Sequence, residues 1–225
     1  MATTTNYGWT TPDDTALVKD GAAAIRSLGS AIDTSMMDLK GGTTGQSLTK
    51  NSNTDMDFVW ATPAAGGLTS IASGSLSGSA VNLTSISGSY KNLQLVLRGL
   101  SMSTGAFLWI RFNNDSGSNY GSAYVTHSSS TTNTGGNDAT SSIGVTYNQP
   151  TAASTNNHFV FNIYDYTQTN GSHIAAYYAN YQESGAIRST NGVGTYQSLS
   201  AISQINIIPS TGTFDAGTYT LYGVN

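Results

Sequence analysis

The chain has 225 residues, with 8 Lys+Arg against 12 Asp+Glu, a formal net charge of −4 and a pI near 5.0. So thin a supply of cations cannot neutralise a run of phosphates, which argues against a nucleic-acid partner. There is no cysteine for disulfides or thiolate metal sites, and no uninterrupted apolar stretch long enough to span a bilayer, so no membrane insertion is expected.

The charged fraction is only 9%, well under the usual quarter of residues. Ser, Thr, Asn, 25 Gly and 13 Tyr stand in its place. That profile suits many short strands joined by uncharged polar turns, and the fold class expected is mainly β. The opening Met1-Ala2-Thr3-Thr4-Thr5 lacks the basic and apolar regions of a signal peptide. Together with the missing cysteines, this leads us to expect synthesis and folding in a cytoplasm.

In chain order, the first predicted element is a helix over 11–40. Thr11 is placed as N-cap, Pro12 at the first helical position, and Asp13 and Asp14 at the positive end of the dipole. Val18, Ile25, Ile32 and Leu39 recur every seven residues, with Ala22, Leu28 and Met36 on the same face, and Gly41-Gly42 stops the helix. Such a seam is what a short parallel coiled coil needs. Gly21 and Gly29 each cost about 1 kcal/mol relative to Ala, so the helix must pack on something. Its own chain is one candidate. Sister copies are the other.

Residues 43–67 read as a short β shaft and hinge. Gln46-Ser47-Leu48-Thr49-Lys50 and Asp57-Phe58-Val59-Trp60 make two strands around the turn-forming Asn51–Asp55 run, and Pro63-Ala64-Ala65-Gly66-Gly67 is the hinge. A lone hairpin cannot bury Leu48, Phe58 and Trp60, whereas three copies around an axis can. The expected organisation is therefore 1–42 for attachment and oligomerisation, 43–67 for the shaft, and 68–225 for a β-domain. The expected oligomerisation residues are Val18, Ile25, Leu28, Ile32, Leu39, Leu48, Phe58 and Trp60.

From Leu68 onward strand follows strand. Leu93, Leu95 and Leu97 alternate with Gln94, Val96 and Arg98, and Leu108, Ile110 and Phe112 repeat the pattern. Phe159, Phe161 and Ile163 share one face, followed by Ile174, Ala176 and Tyr178, the Ile202–Ile208 run, and Tyr219 with Leu221. Period-two alternation broken by Gly/Asn/Ser clusters predicts an antiparallel β-sandwich of jelly-roll or Greek-key type. The polar stretch around Thr126–Thr140 is expected to be an exposed, mobile loop.

Residues capable of chemistry are sparse. His127, His158 and His173 show no metal-ligand spacing, and His158 and His173 each open a predicted strand. Asp115, Asp138, Asp165, Glu183 and Asp215 are the acids of the β-domain, and a pair of them brought together by folding can cleave a glycosidic bond. The Asn113–Asn119 run has oxygen ligands at alternate positions but no following bidentate Glu, so it reads as a tight turn and not a calcium loop. Gly21, Gly29, Gly192 and Gly194 do not form a phosphate cradle. No catalytic residue, metal or cofactor is expected.

The tyrosines carry more information. In Tyr177-Tyr178-Ala179-Asn180-Tyr181 neighbouring rings point to opposite faces of a strand, so some face away from the core. The residues expected at a binding surface are Tyr120, Tyr124, Tyr147, Tyr177 and Tyr181, where rings beside Asn, Gln and Ser can stack on sugars. Coverage of a subunit interface is the competing reading.

These residues also carry a resemblance. Tyr7-Gly8-Trp9-Thr10-Thr11-Pro12-Asp13 with Val18–Arg26 and Ala31-Ile32-Asp33 looks like a segment near the N-terminus of bacteriophage tail-fibre and related virion appendage proteins. The run Gly42–Lys50, closed by Asp57–Ala61, is similar to a module that recurs in fibre shafts. Leu97-Arg98-Gly99, Arg111–Tyr120 and Ala216–Val224 look like a C-terminal domain of phage structural proteins. The resemblance implies a non-enzymatic virion component made in a host cytoplasm. It would commonly be a homotrimer, attached through its N-terminus to other tail or capsid proteins and meeting a host-surface glycan or protein at its C-terminus. The alternatives are a capsid decoration or head-fibre subunit, and a polysaccharide depolymerase.

Overall fold

A computed structural model describes residues 2–15, 17–63, 66–146, 157–183 and 185–225. The chain divides into two compact units, Met1–Ala65 and Gly66–Asn225. The hinge expected at Pro63–Gly67 lies partly outside the described residues, because Ala64 and Ala65 are not among them.

The first unit begins with two short strands, β1 (Ala2–Thr3) and β2 (Thr10–Thr11), paired antiparallel with Ala2 opposite Thr11. This pairing corrects the expected helix start. Thr11 is extended strand and caps nothing, and helix α1 runs from Val18 to Ser35 with Leu17 as an N-cap that makes no side-chain bond. The chain before α1 satisfies its backbone in the β1–β2 ladder, which the dipole and N-cap signals at 11–14 gave no means of anticipating. The helix also ends earlier than expected, at Ser35 with Met36 as C-cap; a 3-10 turn over Met37–Leu39 follows, and Gly41 and Gly42, both at positive φ, come after that turn.

Helix α1 turns Gly21, Ala24, Leu28, Ile32 and Ser35 partly inward, and Trp9 Nε1 donates to Ser35 Oγ at 3.0 Å. Val18 and Ile25 point outward, at 96% and 66% exposure. An α-helix drifts about 20° per seven residues. The seven-residue series therefore splits, with Ile32 half-buried in this chain, as is Leu28, and Val18, Ile25 and Leu39 left exposed.

Strands β3 (Ser47–Lys50) and β4 (Phe58–Ala61) form the expected hairpin, with Leu48 opposite Trp60 and Lys50 opposite Phe58. Asp57 holds the turn by accepting from Asn51 Nδ2 and Ser52 Oγ. Asp38 accepts the Phe58 N–H at 3.1 Å, which ties the hairpin to the 3-10 turn. Leu48, Phe58 and Trp60 remain only half-buried.

The second unit holds strands β5 (Leu68–Ser75), β6 (Val81–Leu83), β7 (Asn92–Met102), β8 (Leu108–Phe112), β9 (Tyr120–His127) and β10 (Thr132–Thr140). They are followed by β11 (Ile143–Gly144), β12 (His158–Tyr164), β13 (His173–Glu183), β14 (Ala186–Tyr196), β15 (Ile205–Pro209) and β16 (Phe214–Val224). The protein is mainly β, and the second unit is built on two antiparallel sheets. One has eight strands in the order β10-β9-β14-β13-β12-β7-β16-β5, the other four in the order β11-β8-β15-β6.

Leu93, Leu95, Leu97, Leu108, Ile110, Phe112, Phe159, Phe161 and Ile163 are all buried, as their alternation predicts, and residues of both sheets join in one hydrophobic cluster. A buried amide is bonded where the core meets a loop. Asn157 donates to Leu100 O and accepts the Gln182 N–H, at 2.6 and 2.8 Å.

Glycine and tyrosine combine in a way that composition alone does not disclose. One row across the eight-stranded sheet reads Leu221, Leu95, Phe161, Tyr177, Gly192, Tyr124, Gly135, each directly opposite the next. A Cβ at Gly192 would lie 2.2 Å from the Tyr177 ring, and one at Gly135 would lie 2.5 Å from the Tyr124 ring. Each ring lies over the facing glycine, covering backbone that would otherwise be bare. Tyr219 over Gly74 and Tyr90 over Gly223 repeat the device.

The stretch 126–140 is the end of β9, a tight turn closed by Ser128 and Thr131, and edge strand β10. The expected mobile loop is therefore corrected to a hairpin. Strand β10 (TNTGGNDAT) is polar on both faces, so period two left no trace in it, as befits an edge.

Candidate functional site

Strand β13 decides which tyrosines can bind anything. Its inward residues are His173, Ala175, Tyr177, Ala179 and Tyr181, all buried, and its outward series is Ile174, Ala176, Tyr178, Asn180 and Gln182. Tyr177 and Tyr181 are thus corrected from surface candidates to core residues. Tyr177 stacks on Phe161 with centroids 4.9 Å apart and donates to Gly144 O at 2.9 Å, and Tyr181 stacks on Phe159. Burial pushes the Tyr177 hydroxyl pKa well above its ordinary value.

Tyr120 is corrected in the same way. It is wholly buried, stacked on Tyr196 at 4.8 Å, and its hydroxyl accepts the Phe112 N–H. Tyr124 is half-buried over Gly135 on the same inner face, and Tyr147 lies outside the described residues. On β13 the ring that faces solvent is Tyr178, at 58% exposure, with the exposed Val193 diagonally across on β14, while Ile174 and Tyr164 are exposed opposite each other further along the same face.

Tyr178 stands between two hollows on the outer face of the eight-stranded sheet. On one side a hollow of about 530 Å³ is lined by Ala176, Val193, Ala123, Val125 and Thr134. On the other, a hollow of about 190 Å³ is lined by His158, Val160, Asn180, Ser189 and Asn191. Asn191, directly opposite Tyr178, borders both. Beyond Val160, Gln94 Nε2 donates to Asn162 Oδ1 at 2.8 Å, which fixes both amides on this face. An exposed ring beside amides is an arrangement that stacks a sugar and hydrogen-bonds its hydroxyls. A signal for it was present in the sequence. Asn180 and Gln182 share parity with Tyr178, and polar residues mark the solvent side of a strand.

Of the groups considered for catalysis, Asp115, Glu183 and His173 are engaged in structural bonds. Asp115 accepts from Gly117 N, Asn119 Nδ2 and the Tyr196 hydroxyl, and its pKa is lowered by the Asn119 amide and then the Gly117 N–H. It closes a turn in which Asn113 and Asn114 both take positive φ, in agreement with the tight-turn reading. Glu183 pairs with Arg188 at 2.8 Å. His173 is buried, with Nε2 2.9 Å from Ser200 O. Among the described residues no group of three or more His, Cys, Asp or Glu is placed to hold a metal ion.

No known protein family, no curated protein and no solved structure matches the chain.

Proposed function

We propose that the chain is a virion structural protein of the bacteriophage tail-fibre type. In this reading it assembles as a homotrimer through its first unit and contacts host-surface glycan with the outer face of its eight-stranded sheet. The observation that carries the reading is the solvent-facing Tyr178 between two hollows, flanked by Asn180 and Asn191. Assembly through the first unit is supported by Val18 and Ile25, which face solvent, and by the half-buried Leu48, Phe58 and Trp60. A trimer turns several weak glycan contacts into one slowly dissociating attachment.

The strand pairing also supports a β-sandwich of jelly-roll type. β5 pairs with β16 and β6 with β15, β7 lies beside β16 and β8 beside β15, and β12 and β11 complete the two layers. Hairpins β9–β10 and β13–β14 widen one layer, and that widening enlarges the outer face.

The test is surface labelling. Fluorescent protein should label host cells and block infection, and Tyr178→Ala should label far more weakly while keeping the wild-type oligomer mass. Equal labelling by the variant rules out this face as the contact. No labelling by the wild type, together with capsid localisation by microscopy, would support the decoration or head-fibre alternative.

A further inference from the structure

We propose that the glycan face carries a reader for an acidic sugar, formed by the row Arg98, His158, Asn180, Ser189 and His127. The inference rests on the glycan-binding reading above and adds the chemical class of the ligand. Each of these residues lies directly opposite the next, on β7, β12, β13, β14 and β9 in turn. All five therefore share the outer face, and all but the half-buried Ser189 are exposed. Adjacent strands are about 4.8 Å apart, so the row crosses roughly 19 Å of the sheet, room for several sugar rings side by side.

The row runs parallel to Val96, Val160, Tyr178, Asn191 and Val125, two residues along each strand and so roughly 7 Å away. The 190 Å³ hollow lies between the two rows, with Val160, Tyr178 and Asn191 on one side and His158, Asn180 and Ser189 on the other. A sugar stacked on Tyr178 would therefore turn its far edge toward His158, with Arg98 on the next strand.

Charge selects the occupant. The cations of the second unit are Lys91, Arg98, Arg111 and Arg188. Arg188 is paired with Glu183, and Arg111 bonds Ser141 O and lies against Trp109. Arg98 stands on the outer face beside His158, and His127, held at Nδ1 by Thr132 Oγ1 at 3.1 Å, ends the row. No residue of either row is acidic. Asp138 lies at the opposite end of the strands, beside Gly121 and Thr195, and Asp215 lies beyond Thr218, the β16 partner of Arg98. A row holding one guanidinium and two imidazoles, with no carboxylate among its residues, complements a carboxylate, which a guanidinium can bind through two parallel bonds. The ligand is thus a polysaccharide segment bearing hexuronic acid, stacked on Tyr178 with its carboxylate at Arg98 and His158.

The test is equilibrium binding of the full chain to a hexasaccharide of alternating hexuronic acid and N-acetylhexosamine, and to the same oligosaccharide with its carboxyls reduced to alcohols. The wild type should prefer the acidic form by about tenfold or more at low salt, as charge-assisted bonds require, and less at high salt. Arg98→Gln and His158→Gln, both at exposed positions, should erase the preference for the acidic form, leaving thermal stability unchanged. Equal affinity of the wild type for both forms overturns the acid reader but leaves the glycan face standing. Tighter binding of a sulfated, carboxylate-free oligosaccharide overturns the carboxylate assignment. Binding of neither form overturns the proposal outright, and the Tyr178→Ala cell-labelling comparison then judges the parent reading by itself.

Discussion

The inner and outer faces of the eight-stranded sheet are made by alternate residues of the same strands, and they use tyrosine for opposite purposes. On β13, Tyr177 and Tyr181 are buried against Phe161 and Phe159, whereas Tyr178, between them in sequence, stands in solvent with a hollow on either side. On the inner face a ring fills volume and covers a facing glycine. On the outer face the same ring adds little to packing and is left accessible to solvent. The difference teaches that aromatic content alone does not identify a binding surface. Strand parity does.

The largest expected effect lies inside. Phe161→Ala should cost about 3–5 kcal/mol, because it removes a fully buried ring and leaves a cavity beside Tyr177. Tyr178→Ala should stay within about 0.5 kcal/mol. Urea unfolding of both variants checks the contrast, and comparable losses would mean that the two faces are not distinct.

Next is the glycine row. Gly192→Ala would place its Cβ 2.2 Å from the Tyr177 ring and should cost roughly 1–3 kcal/mol as the ring is displaced. Gly144→Ala meets nothing within 4 Å and serves as the near-neutral control in the same thermal-melt comparison. A neutral Gly192→Ala would remove the ring-over-glycine account of the sheet.

A smaller effect concerns acid. The Asp115 carboxyl is held below its ordinary value of 3.8, chiefly by the Asn119 amide and then by the Gly117 N–H. A carboxylate whose pKa is lowered by folding stabilises the native state above its unfolded pKa. That contribution is lost as pH falls through the lower, folded value. Stability should therefore drop below about pH 4, with a shallower drop in Asp115→Asn, as followed by thermal melts from pH 5 to pH 2. An identical acid limb in the variant would assign the effect to other carboxylates.

The first unit offers a contrast with almost no effect on the second. Ile25→Asp acts at a position 66% exposed in the single chain, so the melting of the β-domain should be unchanged while the mass in solution falls toward the 23.4 kDa monomer. An unchanged oligomer would remove Ile25 from the assembly surface, and a lost β-domain transition would tie the helix to that domain's core.

Much of the core was legible because strands β7, β8 and β12 are buried on one face only. Leu93, Leu95, Leu97, Phe159, Phe161 and Ile163 therefore alternate cleanly. Strand β10 was not legible, since an edge strand with polar residues on both faces carries no period. Helix α1 was recognisable from its apolar spacing, but its start was misplaced because Thr10 and Thr11 belong to a local β-ladder with the first residues of the chain. At the candidate site, Tyr177-Tyr178 showed that one ring must face outward without saying which. Asn180 and Gln182 held that answer, and the hollows beside Tyr178 depend on cross-strand register, which lies far apart in sequence.

The most direct measurement is the affinity of assembled wild type and Tyr178→Ala for purified host-surface polysaccharide, with the urea midpoint of each protein taken in parallel. The account predicts at least about a tenfold loss of affinity, since stacking contributes on the order of 1 kcal/mol per site and assembly multiplies the sites, with the midpoint unmoved. Undiminished affinity in a folded, assembled Tyr178→Ala protein would contradict it.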